Sequence, residues 1–477
     1  MTELVNFTHR NLPDVLIADA NDPKSLADIC GEAKIVLNCT GPFRFLGKEV
    51  VEACLQAKCT YMDICGEPQF MEKCFLDYHD KAVENNVLIL HACAFDSVPA
   101  DLGALFTMRQ YDSMKCCSIE SFLTVECPMG LKGHFTTYES AVHGMGDLSA
   151  LKKIRKEIQI KHKPPVIILS GPKVPRLTSY KFENRVNKYV IPFMGSDASV
   201  VRSSQRALSM RNGQLQWPQY TAFITLSDIY TVAATSFYGS VFSALSTNPW
   251  GRSLLLSYPE TYSGGVFSKK GPTQEQLDNT SFQMHFYGRG YSSVLENTVK
   301  AEKGEKGGKG RMSEVERAVG KLLDGEEEEE SEKKKVARGE AALLKSEVAN
   351  TQSISNKCSI NLWKKNTIKD KEDDEPNKFI HVIVKGPEPG YVATPAIFFA
   401  LALCVLEERE ILPLGGVLTP SAAFYDSPTV FNRLIRAGLE FEVVSDSSVE
   451  GNEGKESMSS GLSGNVSSNK EQFSCRL

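Results

Sequence analysis

The stretch that decides the fold is KIVLNCTGPF, at residues 34–43. A short aliphatic run, 35–37, ends in small residues and a Gly-Pro pair, and a helical pattern follows at 46–57. In a doubly wound sheet, a strand that ends in this way presents its backbone to a dinucleotide. A simple tight turn is the alternative for residues 40–42. We therefore predict cofactor contact for the residues that follow the aliphatic run, which are Asn38, Cys39, Thr40, Gly41, Pro42 and Phe43.

Strands and helices alternate along residues 15–90. Aliphatic runs predict strands at 15–18, 35–37, 60–64 and 87–90. The patterns between them predict helices at 24–33, 46–57 and 69–85. Short aliphatic strands joined by helices form a parallel sheet that is covered on both faces. The sequence therefore predicts an α/β fold, with a Rossmann-like domain over residues 1–112.

A different pattern begins near residue 115. Polar and apolar residues alternate at period two in the segments 118–125, 220–226, 281–287 and 379–384. Such alternation is typical of half-buried strands, and the long connections between them favour an antiparallel or mixed sheet. We predict an inserted second α+β domain over 113–299 and 377–390. An apolar helical pattern at 391–406 opens a C-terminal segment, 391–445, which we expect to return to the first sheet.

Two segments have the composition of disordered chain. Residues 300–376 combine Gly-Lys repeats and the acidic block 326–330 with few apolar residues, and residues 446–477 are rich in Ser, Gly and Glu. We predict that both are disordered. For the charged insert at 300–376, a tolerated expansion of a surface loop is the favoured interpretation, and a partner-binding segment is the alternative.

Composition narrows the functional class. The chain has 477 residues, of which 42% are hydrophobic and 24% charged, and its net charge is -5. These values are ordinary for a soluble globular protein, and the acidic balance argues against a nucleic-acid binder. The 13 cysteines include no C-x-x-C pair, which favours a reducing, intracellular compartment. No metal site is predicted, because His79, His91, His134 and His143 show no metal-ligand spacing.

Four motifs, taken in their order along the chain, resemble the saccharopine dehydrogenase-like oxidoreductases. They are NCTGPF at 38–43, DICGE at 63–67, FDSVPADLG at 95–103 and GPEPGYVATP at 386–395. Each motif is weak alone, and their order makes the resemblance strong. The resemblance implies an oxidoreductase that uses NAD or NADP on an unidentified small-molecule or lipid substrate. It also implies that the second domain binds substrate and makes dimer contacts, so a homodimer is expected.

The resemblance also exposes a difference upstream of residue 34. Members of the family carry a strand, a G-x-x-G-x-x-G turn and a helix there, and this sequence has none of them. The glycine turn contacts the cofactor pyrophosphate, so we expect an incomplete Rossmann-like sheet and weak binding of NAD or NADP. An incomplete coding sequence is the favoured explanation. The resemblance places Asp19 beside the adenine, and a structural role near a helix start is its alternative.

Asp63, Glu67, Asp96 and Ser97 are candidates for the ligand cleft. They follow predicted strands, and ligands bind at the carboxyl ends of strands in such sheets. Each has a structural alternative, because an acid or Ser at the start of a helix also serves as a cap. Ser97 is the candidate for a hydrogen bond to substrate. No catalytic residue is predicted.

Residues 229–251 contain no charged side chain. A buried core or dimer helix is the favoured interpretation, an interfacial membrane helix is second, and a transmembrane span is least favoured. An interfacial helix would place the protein in peripheral contact with a membrane or lipid droplet. The alternative function is then a non-catalytic scaffold on lipid droplets or membranes, with a role in glycolipid metabolism. The expected location is the cytoplasmic face of lipid droplets or membranes, with the soluble cytoplasm or mitochondria as alternatives.

Overall fold

The structure is a computed structural model that describes residues 14–111, 115–292 and 375–448. The predicted insert and tail lie outside these residues, apart from 375–376 and 446–448. Residues 446–448 are strand rather than disordered chain, because they pair with a neighbouring strand as far as Ser448. One compact unit comprises Met1–Ser292 and Pro376–Leu477, and a second comprises Ser293–Glu375, of which only Glu375 is described.

A parallel sheet of four strands contains the stretch that decides the fold. In spatial order its strands are β1 (Ile35–Asn38), β2 (Thr60–Asp63), β3 (Leu88–Leu90) and β14 (Gly416–Leu418). Helix α1 (Pro23–Glu32) precedes β1, and α2 (Phe43–Ala57), α3 (Pro68–Glu84) and α4 (Val98–Met108) follow β1, β2 and β3. Tyr61 and Ile89 join one hydrophobic cluster while Met62 and Leu88 join another, so both faces are covered. The predicted α/β class, with a Rossmann-like parallel sheet, is confirmed.

Residues 15–18 do not form the predicted strand. Val15 and Ile17 are 88% and 95% exposed. Strand β1 is the edge of the sheet, and within the described ranges no strand pairs with its outer side. An extended segment without a neighbour gains no ladder of backbone hydrogen bonds, so residues 15–18 remain irregular.

The second sheet has seven strands and is mixed, as the alternation at period two predicts. Its order is β15 (Glu440–Ser448), β13 (Lys378–Pro387), β12 (Ser281–Gly290), β4 (Cys116–Glu126), β10 (Gln219–Leu226), β8 (Lys188–Pro192) and β7 (Lys181–Glu183). Strands β10 and β4 are parallel, and the other pairs are antiparallel. Two short parallel pairs complete the strands: β5 (Gly133–His134) with β11 (Phe267–Ser268), and β6 (Ile168–Leu169) with β9 (Gln216–Trp217).

Helix α4 joins the two sheets in one core. Its Leu102 packs in a cluster that holds Leu90 of the first sheet and Phe282 of the second. Gly103 allows the close approach, because a Cβ there would lie 2.4 Å from the Phe286 ring. The predicted boundary near residue 112 therefore separates two sheets that share a core. The remaining helices are α5 (Phe135–Gly146), α6 (Leu148–Lys161), α7 (Asp197–Asn212), α8 (Ile229–Ser246), α9 (Pro249–Ser257), α10 (Pro259–Tyr262) and α11 (Gln274–Asp278).

The C-terminal segment divides between the two sheets. After a π-helical turn, Pro389–Ala393, come α12 (Thr394–Glu407), α13 (Pro420–Ala423) and α14 (Val430–Arg436). The return to the first sheet is made by β14, whereas β15 pairs with β13 in the second sheet, so the prediction for 440–445 is wrong. Among the described helices, only Pro389–Glu407 is long and apolar enough to cross a membrane, and 39% of it is buried.

Helix α8 is not a buried core helix, which is one part of the favoured interpretation, and the other part, a dimer helix, stays a prediction. Only Val232 and Ser246 of its residues are buried. Tyr230 is 83% and Phe237 64% exposed, and Trp250, in the adjoining α9, is 70% exposed. The helix packs through part of one side on a small cluster with α5 and α9, which leaves its other aromatic residues in solvent.

Candidate functional site

The loop after β1 lies at the carboxyl edge of the parallel sheet. Cys39 and Thr40 are exposed and Gly41 is half-buried. Buried Asn38 holds the loop, because its Oδ1 accepts a hydrogen bond from the Thr40 N–H at 2.9 Å and its Nδ2 donates to Tyr61 Oη at 3.1 Å. A Cβ at Gly41 would approach its nearest neighbour no closer than 3.6 Å. This loop therefore offers accessible backbone beside a rigid support.

The buried residues Pro42 and Phe43 open α2, and Glu67 caps that helix. The Phe43 N–H donates to Glu67 Oε1 at 2.8 Å, and Arg44 Nε donates to Oε2 at 2.6 Å. Arg44 also donates through Nη1 to Asp147, between α5 and α6, at 2.8 Å. Glu67 is 4% exposed and makes no capping hydrogen bond in its own helix, α3. Its partners give it a structural role.

Asp63 is fully buried at the end of β2 and is surrounded by donors. Its oxygens accept hydrogen bonds from Tyr61 Oη at 3.0 Å, the Cys65 N–H at 3.1 Å and the Ala92 N–H at 3.0 Å. Nδ1 of His91 lies 2.7 Å from Asp63 Oδ2. A carboxylate with this many partners orders the ends of β2 and β3, and none of its surface is left for a ligand.

Asp96 follows β3 and has a different environment. The residue is exposed to solvent, although neighbouring protein groups lie close to its carboxyl group. Gly66 makes room for it, because a Cβ at Gly66 would lie 2.0 Å from Asp96 Oδ2. The surrounding protein and the nearby Glu67 raise the pKa of Asp96 to about 6. This accessible carboxyl group therefore changes its charge close to neutral pH.

Behind Asp96 lies a buried polar cluster that joins the two sheets. The hydroxyl groups of Ser97 and Ser196 are 2.9 Å apart. Ser97 occupies the N-cap position of α4 without capping it, because its hydroxyl group faces Ser196 instead. Burial, with Asp96 and Asp101 nearby, raises the pKa of Asp197 well above its ordinary range.

Asp101, in α4, is a buried carboxyl group with a structural role. Burial raises its pKa to about 6, against the opposing effect of its hydrogen bonds. Its Oδ2 accepts from Ser204 Oγ at 2.7 Å and from the Ser421 N–H at 2.8 Å. These bonds tie α4 to α7 and α13.

Asp19 lies apart from the sheet edge in an irregular loop before α1. Its Oδ1 accepts from the Asn21 N–H at 2.8 Å and from Asn21 Nδ2 at 3.1 Å. These hydrogen bonds lower the pKa of its carboxyl group. The geometry favours the structural alternative for Asp19.

Three buried thiols form a group that the spacing of the cysteines does not reveal. The sulfur atoms of Cys30, Cys54 and Cys59 lie within 4.8 Å of one another. Cys30 Sγ and Cys54 Sγ are 3.7 Å apart, which is a thiol contact and not a disulfide. This group would have to lose protons in a buried, apolar place to hold an ion.

Comparison with known proteins decides the family. Residues 13–90 match the family model of the saccharopine dehydrogenase NADP binding domain. The saccharopine dehydrogenase-like oxidoreductase of Mus musculus is 36% identical over 437 residues, 91% of this chain and 83% of that protein. The chain belongs to the saccharopine dehydrogenase-like oxidoreductase family. The resemblance of the four motifs is confirmed.

Two further relatives of this saccharopine dehydrogenase-like chain carry names that concern location. A probable mitochondrial saccharopine dehydrogenase-like oxidoreductase of Arabidopsis thaliana is 31% identical over 92% of this chain and 84% of that protein. A lipid droplet localized protein of Caenorhabditis elegans is 26% identical over 91% of this chain and 84% of that protein.

Sequence reasoning missed two residues beside the saccharopine dehydrogenase-like motifs. His91 directly follows β3, and Asp197 opens α7 after Gly195 and Ser196. A polar residue directly after an aliphatic run is a signal for His91. No local pattern distinguishes Asp197 from an ordinary acid in the first turn of a helix.

Proposed function

We propose that this chain is an oxidoreductase that holds the nicotinamide end of NADP or NAD against Cys39, Thr40 and Gly41. Asp96 is the proposed proton donor and acceptor. The observation that carries the proposal is the position of Asp96, an accessible carboxyl group with a pKa of about 6 at the carboxyl edge of the sheet. Such a group is present in both protonation states near neutral pH, which suits general acid–base catalysis.

The described residues fit one part of a nicotinamide dinucleotide. The loop at 39–41 has accessible backbone at the position where parallel sheets bind such ligands, and it lies within the range that matches the NADP binding domain. No glycine-rich turn for the pyrophosphate occurs within the three described ranges. The fit therefore concerns the nicotinamide side, and the choice between NAD and NADP rests on measurement.

Each group has a defined task in this proposal. The cofactor supplies or accepts a hydride when bound. The loop at 39–41 orients the cofactor, and Gly66 leaves space for the Asp96 carboxyl group. Asp96 gives a proton to the substrate oxygen or nitrogen in one direction and takes it back in the other. The substrate is an unidentified small molecule or lipid.

Cofactor binding tests the role of the loop. A Cβ fits at Gly41 within the protein, so Gly41→Ala should fold normally while its methyl group stands between the loop and the cofactor. Titration of NADPH and NADH, followed by saturation-transfer NMR, should show affinity at least about tenfold weaker than in the parent chain. Gly31→Ala is the matched control, because a Cβ there meets nothing within 4 Å and lies in α1. Equal affinity in both variants would contradict the cofactor position.

Turnover tests the role of Asp96. We expect NADPH consumption with a substrate found by screening carbonyl compounds, including lipids. Asp96→Asn should lower kcat by about 10²–10⁴-fold and remove the limb of the pH profile near pH 6. Asp101→Asn is the control, since that buried residue has a similar pKa but contacts only Ser204 and Ser421. Unchanged turnover in Asp96→Asn would refute the assignment.

We also propose a peripheral lipid-surface contact through residues 229–251. Exposed Tyr230, Phe237 and Trp250, on a segment without charge, have the chemistry of residues that enter a membrane interface. The name of the worm relative supports a lipid droplet, and that of the plant relative supports mitochondria. The cytoplasmic face of a lipid droplet or membrane is the location we favour. A homodimer through the same face is the alternative to this lipid contact, and a role in glycolipid metabolism is a further hypothesis.

A further inference from the structure

A cavity between α3 and α7 lies outside the cleft of Asp96. It has a volume of about 30 Å³, and α3, α7, the end of β14 and His91 form its walls. A cavity of this size holds about two water-sized groups, such as the two oxygen atoms of a carboxylate. Its lining combines the rings and aliphatic side chains of the core with a few polar groups, as small binding sites do.

His91 contributes a buried polar atom without a partner. The side chain is 1% exposed, and Nδ1 is fixed by Asp63 at 2.7 Å. The imidazole ring packs in T-shaped contacts against the rings of Tyr61 and Phe70. Nε2 has no hydrogen-bond partner among the described residues. An unpaired buried nitrogen is costly, so its position on a cavity wall indicates a group that it binds there.

Positive charge surrounds the same cavity. Arg155 pairs with Glu72 at 2.7 Å, which leaves Arg202 and Arg206 without a carboxylate at ion-pair distance in the described part of the chain. Arg206 lines the cavity, where its Nη2 donates to Ser203 Oγ at 3.0 Å and its guanidinium lies 5.4 Å from the centre of the Phe75 ring. Burial lowers the pKa of Arg206, as does the nearby Arg155, whereas Glu72 raises it. Glu72 also lines the cavity and is paired with Arg155, so the three arginines and this one carboxylate together carry an excess of positive charge.

We propose that this cavity binds a carboxylate group of a ligand through Arg206, Ser203 and His91. Arg206 supplies charge and paired donors, and Ser203 holds its guanidinium in place. Asp63 accepts the Nδ1–H, so Nε2 of the neutral ring carries a lone pair and becomes a second donor by taking up a proton when the anion binds. The inference is independent of the proposed oxidoreductase function, because none of these residues contacts the loop at 39–41 or Asp96 in any described hydrogen bond.

Anion titration of the full chain tests the proposal. The probes are sodium acetate, followed by saturation transfer to its methyl group, and inorganic phosphate as its competitor. We expect saturable acetate binding, and at least about tenfold weaker binding in Arg206→Gln, which is about 1.4 kcal/mol. Arg436→Gln, an exposed arginine on α14, makes the same charge change outside the cavity and should bind as the parent does. Phosphate, with four oxygen atoms, should not displace acetate, and full competition by phosphate would overturn the assignment to a carboxylate.

A second variant controls for the case in which Arg206→Gln unfolds the protein. Ser203→Ala removes one half-buried hydroxyl group and releases Arg206, so binding should weaken several-fold while circular dichroism and the melting temperature stay unchanged. Equal affinity in the parent, Arg206→Gln and Ser203→Ala would overturn the proposal. So would the absence of saturation, which would mean that the cavity holds water only.

Discussion

Asp63 and Asp96 follow neighbouring parallel strands, yet they differ in almost every physical respect. Asp63 is fully buried and accepts hydrogen bonds from Tyr61, Cys65 and Ala92. Asp96 is accessible, and its pKa is raised to about 6. A carboxylate whose hydrogen bonds are satisfied by the protein stabilises the sheet edge, whereas an accessible carboxyl group without such bonds can take part in proton transfer.

The largest expected effect comes from removing the buried carboxylate. Asp63→Ala leaves His91 and the N–H groups of Cys65 and Ala92 without their acceptor, so the free energy of unfolding should fall by about 3–5 kcal/mol. Asp96→Ala should not lower it, because no hydrogen bond from a described residue to its carboxyl group is lost and, with its pKa raised to about 6, the ionised carboxylate is less stable in the folded than in the unfolded chain at about pH 7. Urea denaturation of both variants measures the difference. Similar losses in the two variants would break the comparison.

The second effect is the pH dependence of stability, and it concerns a third carboxyl group, that of Asp101. Its pKa is about 6 in the folded chain and about 4 when unfolded, so the folded state binds the proton more tightly. Its contribution therefore lowers the free energy of unfolding as pH rises from about 4 to about 6, by about 3 kcal/mol at most. Asp101→Asn should flatten this part of the stability curve, measured by urea denaturation at about pH 4.5 and about pH 7. An unchanged slope would show that Asp101 remains ionised throughout.

The smallest expected effect on stability extends the comparison to apolar side chains of α8. Phe237 is 64% exposed, whereas Phe242 packs on Tyr138 with ring centroids 5.6 Å apart. Phe237→Ser should change the free energy of unfolding by about 0.5 kcal/mol or less and release the protein from liposomes. Phe242→Ser should cost about 1–3 kcal/mol instead. Flotation and thermal melts separate the two, and retained flotation of a folded Phe237→Ser protein would argue against the lipid contact.

The order of strands and helices could be predicted because the apolar spacing is local. The misplaced elements depend on distant partners: among the described residues no strand pairs with 15–18, and β15 pairs with β13 of the second sheet. The candidate site residues divide in the same way, into those that local sequence predicts and those whose role depends on distant partners. The loop at 39–41 is readable from its strand, whereas the role of Asp63 depends on His91, 28 residues away. The composition of α8 does not predict its exposure either, because buried helices and helices that bind a membrane surface have similar apolar compositions.

Arg44 links parts of the chain that are remote in sequence. Its buried guanidinium contacts Glu67, which caps α2 beside the loop at 39–41, and Asp147, which lies 103 residues further along the chain. Asp147 is 44% exposed at the corner between α5 and α6. A rotation of that corner would pull directly on the first turn of α2. The helices that carry the aromatic surface of α8 are thus coupled to the loop at 39–41 through Arg44, together with the hydrogen bond from Ser140 in α5 to Glu67 and the ring contact of Phe45 with His143.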